Sequence, residues 1–214
     1  MIRIVTSPQA THQPYPLVVK HHQSTAAPCL DEGLPSALKS HGLDWLNVSG
    51  VHGSRLVIKP VRIDAPARVV WALASDVNRY CEFSDGKIFA KMYEGAPVEE
   101  GSQIELGLRL KLPPFKNLIF GKQLKYSREL VTINNDEMLL GWHREVPLAC
   151  HAESRRWQIV VPRGPYACDY YSGLFLPALV GKISMLGVGT EILDALQSMG
   201  AGIKSAAETV TQAD

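Results

Sequence analysis

The stretch Gly173–Val210, GLFLPALVGKISMLGVGTEILDALQSMGAGIKSAAETV, decides how the rest of the chain is read. It opens Gly173-Leu-Phe-Leu-Pro177 and continues as a predicted helix to the chain's end, with Pro177 in the first turn, where its missing N–H costs little. From Ile192 onward, Ile192, Leu196, Met199, Ile203, Ala206 and Val210 recur at helical steps, while Glu191, Asp194, Ser198, Ser205 and Glu208 fall opposite. One apolar stripe and one wet face describe a helix laid across a large hydrophobic surface. Gly187, Gly189, Gly200 and Gly202 interrupt it, each at a cost of roughly 1 kcal/mol against Ala. The plain explanation is close backbone packing or a kink. The sharper one is room for a guest between helix and sheet.

A chain of 214 residues that is 46% hydrophobic suits one domain with an appendage. A net charge of +1 gives no electrostatic ground for a nucleic-acid partner. Cys29, Cys81, Cys150 and Cys168 stand far apart without ligand spacing, which reads as ordinary thiols in a reducing compartment and no metal. No apolar run is long enough to span a bilayer, and Met1–Val5 lacks the apolar core of a secretory signal, so cytosol is the expected compartment.

Residues 1–53 read as an N-terminal arm, partly disordered or loosely docked. Pro8, Pro14, Pro16, Pro28 and Pro35 punctuate it and no hydrophobic period persists. A short helix around Leu34–Trp45 would dock its Leu and Trp side chains on the main domain. The cluster His12, His21, His22, His41 and His52 matches no ligand pattern.

The folded domain is expected over 54–214. Arg55–Ile63 reads as a strand, Asp64-Ala65-Pro66 opens a helix through Trp71 and Leu73, and Asp76 caps a second short helix carrying Tyr80. A strand at Lys87–Glu94 and a turn at Gly95-Ala96-Pro97 follow. Ile104, Leu106, Leu108, Leu110 and Leu112 then alternate strictly with Gln103, Glu105, Gly107, Arg109 and Lys111, a strand with one buried face. Two hairpins come next. Lys122–Ile133 and Glu137–Val146 flank Asn134-Asn135-Asp136, and His151–Val161 and Tyr166–Phe175 flank Pro162-Arg163-Gly164-Pro165. This order predicts an α+β fold: a seven-stranded curved antiparallel sheet wrapped around a long C-terminal helix, with two short helices after the first strand.

The run Val61-Arg-Ile-Asp-Ala-Pro-Ala67, then Val70-Trp71 and Asp76-x-x-x-Tyr80, resembles the opening of the helix-grip superfamily. That superfamily takes in START lipid-transfer domains, birch-pollen allergen-type proteins and the polyketide cyclase/dehydrase branch (SRPBCC). Trp142 ending a strand, Asp169-x-Tyr171-x-Gly173 and the Gly173-Leu-Phe-Leu-Pro177 lead-in are similar to later features of the group. The resemblance implies a cavity between sheet and last helix, and no cofactor. It implies carriage of a hydrophobic small molecule such as a lipid, quinone or polyketide. The alternative is a cyclase, dehydratase or isomerase acting on a polyketide-like intermediate in the same cavity.

Parity supplies a candidate lining. Trp157 and Ile159 flank Gln158, which turns Arg155, Trp157, Ile159 and Val161 inward. Both faces of the last strand carry a Tyr, and the resemblance selects Asp169, Tyr171 and Gly173 over Cys168, Tyr170 and Ser172. In the middle hairpin Met138, Leu140 and Trp142 share a face with Arg144, and Leu196, Met199 and Ile203 close the floor. Trp142, Trp157 and Tyr171 then form an aromatic wall, the usual make-up of a small-molecule pocket. Of the polar members, Arg155, Asp169 and Tyr171 are the candidates for chemistry, Arg155 binding a carboxylate or enolate and Asp169 orienting it. The plainer reading is an Arg155–Asp169 cross-strand ion pair. His143 and His151 read as surface residues. The connection 111–122, with Phe115, Leu118, Ile119 and Phe120 among Lys111, Lys116 and Lys122, either folds back on the domain or forms an entrance touching a membrane or protein partner transiently.

Overall fold

The computed structural model describes residues 50–52, 55–92, 98–109, 111, 113–115, 123–125, 129–134, 136–145, 153–176 and 178–213. The chain divides into two compact units, Met1–Leu30 and Asp31–Asp214, and every described residue belongs to the second.

Ten strand segments form one antiparallel sheet: β1 (Gly50–His52), β2 (Arg55–Val57), β3 (Val61–Ile63), β4 (Ile88–Met92), β5 (Gln103–Arg109), β6 (Gln123–Lys125), β7 (Glu129–Asn134), β8 (Leu139–Glu145), β9 (Glu153–Gly164) and β10 (Ala167–Phe175). The order across the sheet is β1-β2-β10-β9-β8-β7-β5-β4. Segments β2 and β3 lie end to end along β10, and β6 and β7 along β5, so each pair is one interrupted strand. With β1 as a short outer ribbon, this is the seven-stranded curled sheet expected from sequence. The sheet begins at Gly50, ahead of Ser54. Strand β9 runs on through Pro162 and Gly164, so the last hairpin turns at Pro165-Tyr166, with a bulge between Ala167 and Cys168. The expected turn at Gly95–Pro97, the ends of the expected strands at Leu110 and Leu112, and His151 lie outside the described residues.

Helix α1 (Ala67–Ser75) starts where the Pro66 carbonyl accepts from the Val69 and Val70 amides. It buries Ala67, Val70, Trp71 and Ala74, one face of a helix. Asp76 then caps a 3-10 turn (Val77–Arg79), its carboxylate accepting from the Asn78 amide at 3.3 Å, and the turn runs into α2 (Tyr80–Phe83). The last element is α3 (Ala178–Ala213). Its Val188, Ile192, Ala195, Leu196, Met199, Ile203 and Ala207 share a core with Leu56 of β2, Ile63 of β3, Ile88 of β4, Leu106 of β5, Val131 of β7, Trp142 of β8, Val160 of β9 and Tyr170 of β10. One helix meeting side chains from all these strands lies in the concave side of the sheet. Polar contacts set its register. Lys87 Nζ donates to Asp194 (2.8 Å) and Ser198 (2.6 Å), Lys204 Nζ to the Arg62 carbonyl (2.8 Å), and the Asp64 amide to Glu208 (3.0 Å).

Two glycines of α3 explain themselves by contact. A methyl on Gly202 falls 2.0 Å from the Phe83 carbonyl oxygen, and one on Gly200 falls 3.1 Å from Val61 Cγ2 and 3.4 Å from Ile58 Cδ1. At these positions the plain reading holds: they bring helix backbone against α2 and the β2–β3 edge. Within the sheet, Gly107 lies under the Phe89 ring and Gly141 under the Trp157 ring, each the cross-strand partner of its aromatic. Gly202→Ala must push α3 off a rigid carbonyl. The expected result is a fold destabilised by about 1–3 kcal/mol, read as a lower urea midpoint with unchanged slope, while Gly200→Ala costs less.

Candidate functional site

Strand β9 places Ser154, Arg156, Gln158 and Val160 toward α3, all buried. Trp157, Ile159 and Val161 instead join Val57, Leu139 and Tyr171 in a second cluster on the opposite face. The cross-strand register fixes this: Ile159 faces both Leu139 and Tyr171, and Trp157 faces Gly141 and Gly173. The inward parity expected for β9 is therefore reversed, and so is that of β10, where Cys168, Tyr170 and Ser172 look inward and Asp169 and Tyr171 outward. The physical reason is that both faces of these strands are buried, so hydrophobicity does not tell them apart.

Asp169 does not pair with Arg155. In register Asp169 lies opposite Val161 while Arg155 lies opposite Phe175, at the other end of the hairpin. Asp169 binds Arg163 instead (Nε to Oδ2, 2.6 Å), with Arg62 at 3.5 Å, and Arg163 also donates to the Tyr171 hydroxyl at 3.3 Å. These three expected polar members are thus split: Asp169 and Tyr171 belong to an outer ion-pair cluster, Arg155 to the far strand end. Arg144 takes its place in β8 opposite Ser154, and its side chain lies outside the described residues. His143 is half-buried on the outward parity, as expected.

What comes together inside is different. Trp142, Leu196, Met199 and Ile203 are in the inner core as expected, with Leu140 and Met138. Arg156, 3% exposed, lays its guanidinium 4.7 Å from the Trp142 ring centroid and 6.0 Å from that of Tyr80, with Nη2 3.3 Å from Met199 Sδ. Next to it a closed polar chain runs through the core. The Tyr170 hydroxyl donates to Gln158 Oε1, Gln158 Nε2 donates to the Tyr80 hydroxyl at 2.5 Å, and Tyr80 donates to the Ala74 carbonyl at 3.0 Å. Each member is satisfied, which is how a buried polar group is tolerated. Burial pushes the Tyr170 phenol up to about 12 and the Tyr80 phenol higher still, against the pull of the Arg156 charge. Neither is a base near neutral pH.

Beside this chain a partly enclosed cavity opens where the ends of β5, β8 and β10 meet the starts of β7 and β9. It is lined by apolar Leu106, Leu108, Trp142, Leu174, Leu176, Ile192 and Leu196, with Glu129, Ser154, Arg155 and Arg156 as its polar side. Its volume is about 420 Å³ counting the open mouth, and its closed inner part has room for about one water molecule. The Trp142 Nε1–H is buried and finds no acceptor among the described residues. Met199 and Ile203 lie deeper, fully buried. Sequence reasoning missed Arg156, Glu129 and Ser154. Ser154 and Arg156 alternate with Arg155 and Trp157 along β9, on the parity opposite to the expected lining, whereas Glu129, at the start of β7, carries no such signal. No group of acidic, His or Cys side chains suited to a metal occurs among the described residues, and no described helix is long and apolar enough to cross a membrane.

No family model and no curated protein matches this chain. Solved structures do. The chain is similar to a START superfamily protein from Mycobacterium smegmatis, at 16% identity over 73% of this chain and 99% of that one, with a TM-score of 0.50. It is also similar to the aromatase/cyclase ZhuI of a Streptomyces species (10%, 72% and 93%, TM-score 0.53) and to a major latex-like protein of Panax ginseng (13%, 72% and 96%, TM-score 0.50). At such identities the likeness concerns fold alone, a helix-grip arrangement of a curved antiparallel sheet around a long C-terminal helix.

The buried phenols give a signed pH dependence. Up to the ordinary phenol value of 10.0 both are neutral, folded or unfolded; between there and about 12 only the unfolded chain loses their protons. Stability measured by urea unfolding is expected to fall as pH rises from about 10 toward 12. A Tyr80→Phe/Tyr170→Phe variant, weaker at neutral pH, should show a shallower alkaline slope.

Proposed function

We propose that this protein binds and carries a hydrophobic small molecule, of lipid, quinone or polyketide type, whose apolar body enters the cavity between the sheet and α3. The observation that carries the reading is the lining itself: seven apolar side chains against a polar side dominated by buried Arg156. A mostly apolar lining with a few placed polar groups is the make-up of small-molecule sites, and here it surrounds a closed inner part with room for about one water molecule. Leu174 and Leu176 at the mouth are half-buried, and the reading requires their side chains to rotate aside, since the closed inner part holds about one water molecule.

Arg156 favours a guest with an acidic or carbonyl group, because a guanidinium held by aromatic faces offers planar N–H donors. Arg155 at the mouth adds a second cation. The cyclase or dehydratase reading needs an acid–base pair, and the cavity's titratable groups are Glu129, Arg155 and Arg156. The carrier reading uses what is there without further parts. The connection from Lys111, where Pro113, Pro114 and Phe115 are exposed, leaves β5 at the end where the mouth lies, and it supports transient contact with a membrane or protein during exchange. Free thiols at Cys81 and Cys168 suit the cytosol.

Two fluorescent probes test this, anionic anilinonaphthalene sulfonate and neutral phenylnaphthylamine. Both are expected to bind the wild type and to be displaced by long-chain acids. Arg156→Met should weaken the anionic probe by about tenfold or more, the range for loss of a charged hydrogen-bond partner, and leave the neutral one nearly unchanged. Leu174→Trp should block both by filling the mouth. If neither probe binds the wild type, the carrier reading fails.

A further inference from the structure

Most polar groups around the cavity already have partners inside the protein. Glu129, Arg155 and Arg156 each make a contact within the chain. Gln158, Tyr80 and Tyr170 close on one another beside it. The Ser154 hydroxyl can donate or accept, so it suits either kind of guest. The Trp142 indole differs. It lines the cavity, it is 2% exposed, and its Nε1–H is buried with no acceptor among the described residues. An indole N–H donates and cannot accept. Buried polar groups in folded proteins are almost always satisfied, so one left over beside a cavity calls for an acceptor.

Building on the carrier reading of this cavity, we propose that the Trp142 Nε1–H is the donor that selects the guest, and that its acceptor is a carbonyl oxygen, as of a ketone or quinone, at the guest's inner end. Trp142 stands in β8 directly opposite Arg156 of β9. The Arg156 guanidinium lies over the indole ring, 4.7 Å from its centroid, and the Tyr80 ring packs 6.0 Å away at a tilt of 36°. The N–H lies in the plane of the indole, at its edge, clear of the face that the cation covers. Size favours a single oxygen. The closed inner part of the cavity has room for about one water molecule, which is the room one carbonyl oxygen needs. The body of the guest then lies toward the wider mouth, among Leu106, Leu108 and Leu174. A carboxylate brings two oxygens and needs more space than this. A hydrocarbon end fits but leaves the N–H without a partner, and a buried donor so left is penalised.

A replacement of one group in the full-length protein tests it. Trp142→benzothienylalanine keeps the shape of tryptophan and puts sulfur where the N–H stands. Two neutral naphthalene probes are compared: Prodan, which carries a ketone oxygen and no N–H or O–H, and phenylnaphthylamine, which carries an N–H and no oxygen. Both are expected to bind the wild type. The variant should lower the ratio of Prodan affinity to phenylnaphthylamine affinity by about three- to tenfold, the range for one hydrogen bond. An unchanged ratio overturns the proposal, and so does a wild type that takes phenylnaphthylamine and refuses Prodan; in both cases phenylnaphthylamine binding leaves the carrier reading standing. If neither probe binds the wild type, the two fall together. Should the variant not fold, the indole N–H resonance of Trp142 in the wild type, followed by heteronuclear NMR, decides. A downfield proton shift on saturation with Prodan, absent with phenylnaphthylamine, upholds the contact, and the same response to both probes rejects it.

Discussion

Strand β9 is buried on both faces, and the rest of the domain is arranged to satisfy that constraint. Its alternate residues meet opposite surroundings. Arg156 and Gln158 point into the grip beneath α3, while Trp157 and Ile159 point away from it. A strand with an aliphatic and aromatic outer face and a polar inner face is the reverse of the usual half-buried strand. It is stable only if the inner polar groups find partners and the outer face is kept dry. The partners are Tyr80 and Tyr170, which close on Gln158 from α2 and β10. Removing Gln158's amide takes the Tyr170 hydroxyl's acceptor and one donor from the Tyr80 hydroxyl, which keeps the Ala74 carbonyl; a buried group left unsatisfied costs about 1–3 kcal/mol.

The glycines follow from the same geometry. Gly141 exists where it does because the Trp157 ring has turned outward and lies across β8, 2.5 Å from where a Cβ would be. Gly202 exists where it does because α2, which carries Tyr80 into the chain of hydroxyls, is pressed against α3. Small residues here are imprints of large neighbours, not empty space. Room for a guest lies instead at the open strand ends, among Leu106, Leu108, Leu174 and Leu176.

Much of the fold was legible in the chain, and the reasons are local. The alternation Ile104-Leu106-Leu108 has one buried face and one wet one, so its parity is unambiguous, and the three residues are indeed buried. Asp76 is followed by the short helix that its side chain caps. Of the helical stripe, Ile192, Leu196, Met199 and Ile203 fall in the core, Ala206 packs against it half-buried, and Val210, its last member, is 47% exposed. The site was less legible because it sits on β9 and β10, where alternation carries no such information. On β9 Trp157 is the more apolar choice and turns inward for that reason; on β10, with a Tyr on each face, only the resemblance selects Tyr171. Asp169, a plausible partner for Arg155 by composition, is separated from it by the register and held by Arg163. A short-range pattern specifies which residues alternate, but the side facing the helix is set by a third element arriving from far along the chain.

The position of Arg156 is the last consequence. A guanidinium 3% exposed among Trp142, Tyr80 and Met199 is costly to desolvate, and an apolar residue of similar volume is often as stable or more so at such a site. Gln158, one step along the same face, spends one amide N–H on Tyr80 and one carbonyl lone pair on Tyr170. Arg156 differs in lying at the boundary between that closed chain and the apolar cavity, with Leu196 and Trp142 on the cavity side. On the proposed carrier function, a charge at the inner end of a mostly apolar cleft orients a guest, tail toward the leucines at the mouth and head toward the guanidinium. The Trp142 and Tyr80 rings lie 4.7 and 6.0 Å from its guanidinium carbon, close enough for the cation to sit against their faces. The fold alone requires none of this, since the hydroxyl–amide chain already closes the core. The asymmetry between β9's two inner residues, Gln158 bonded to two tyrosines in the core and Arg156 beside the cavity, is what the proposed binding site is argued from.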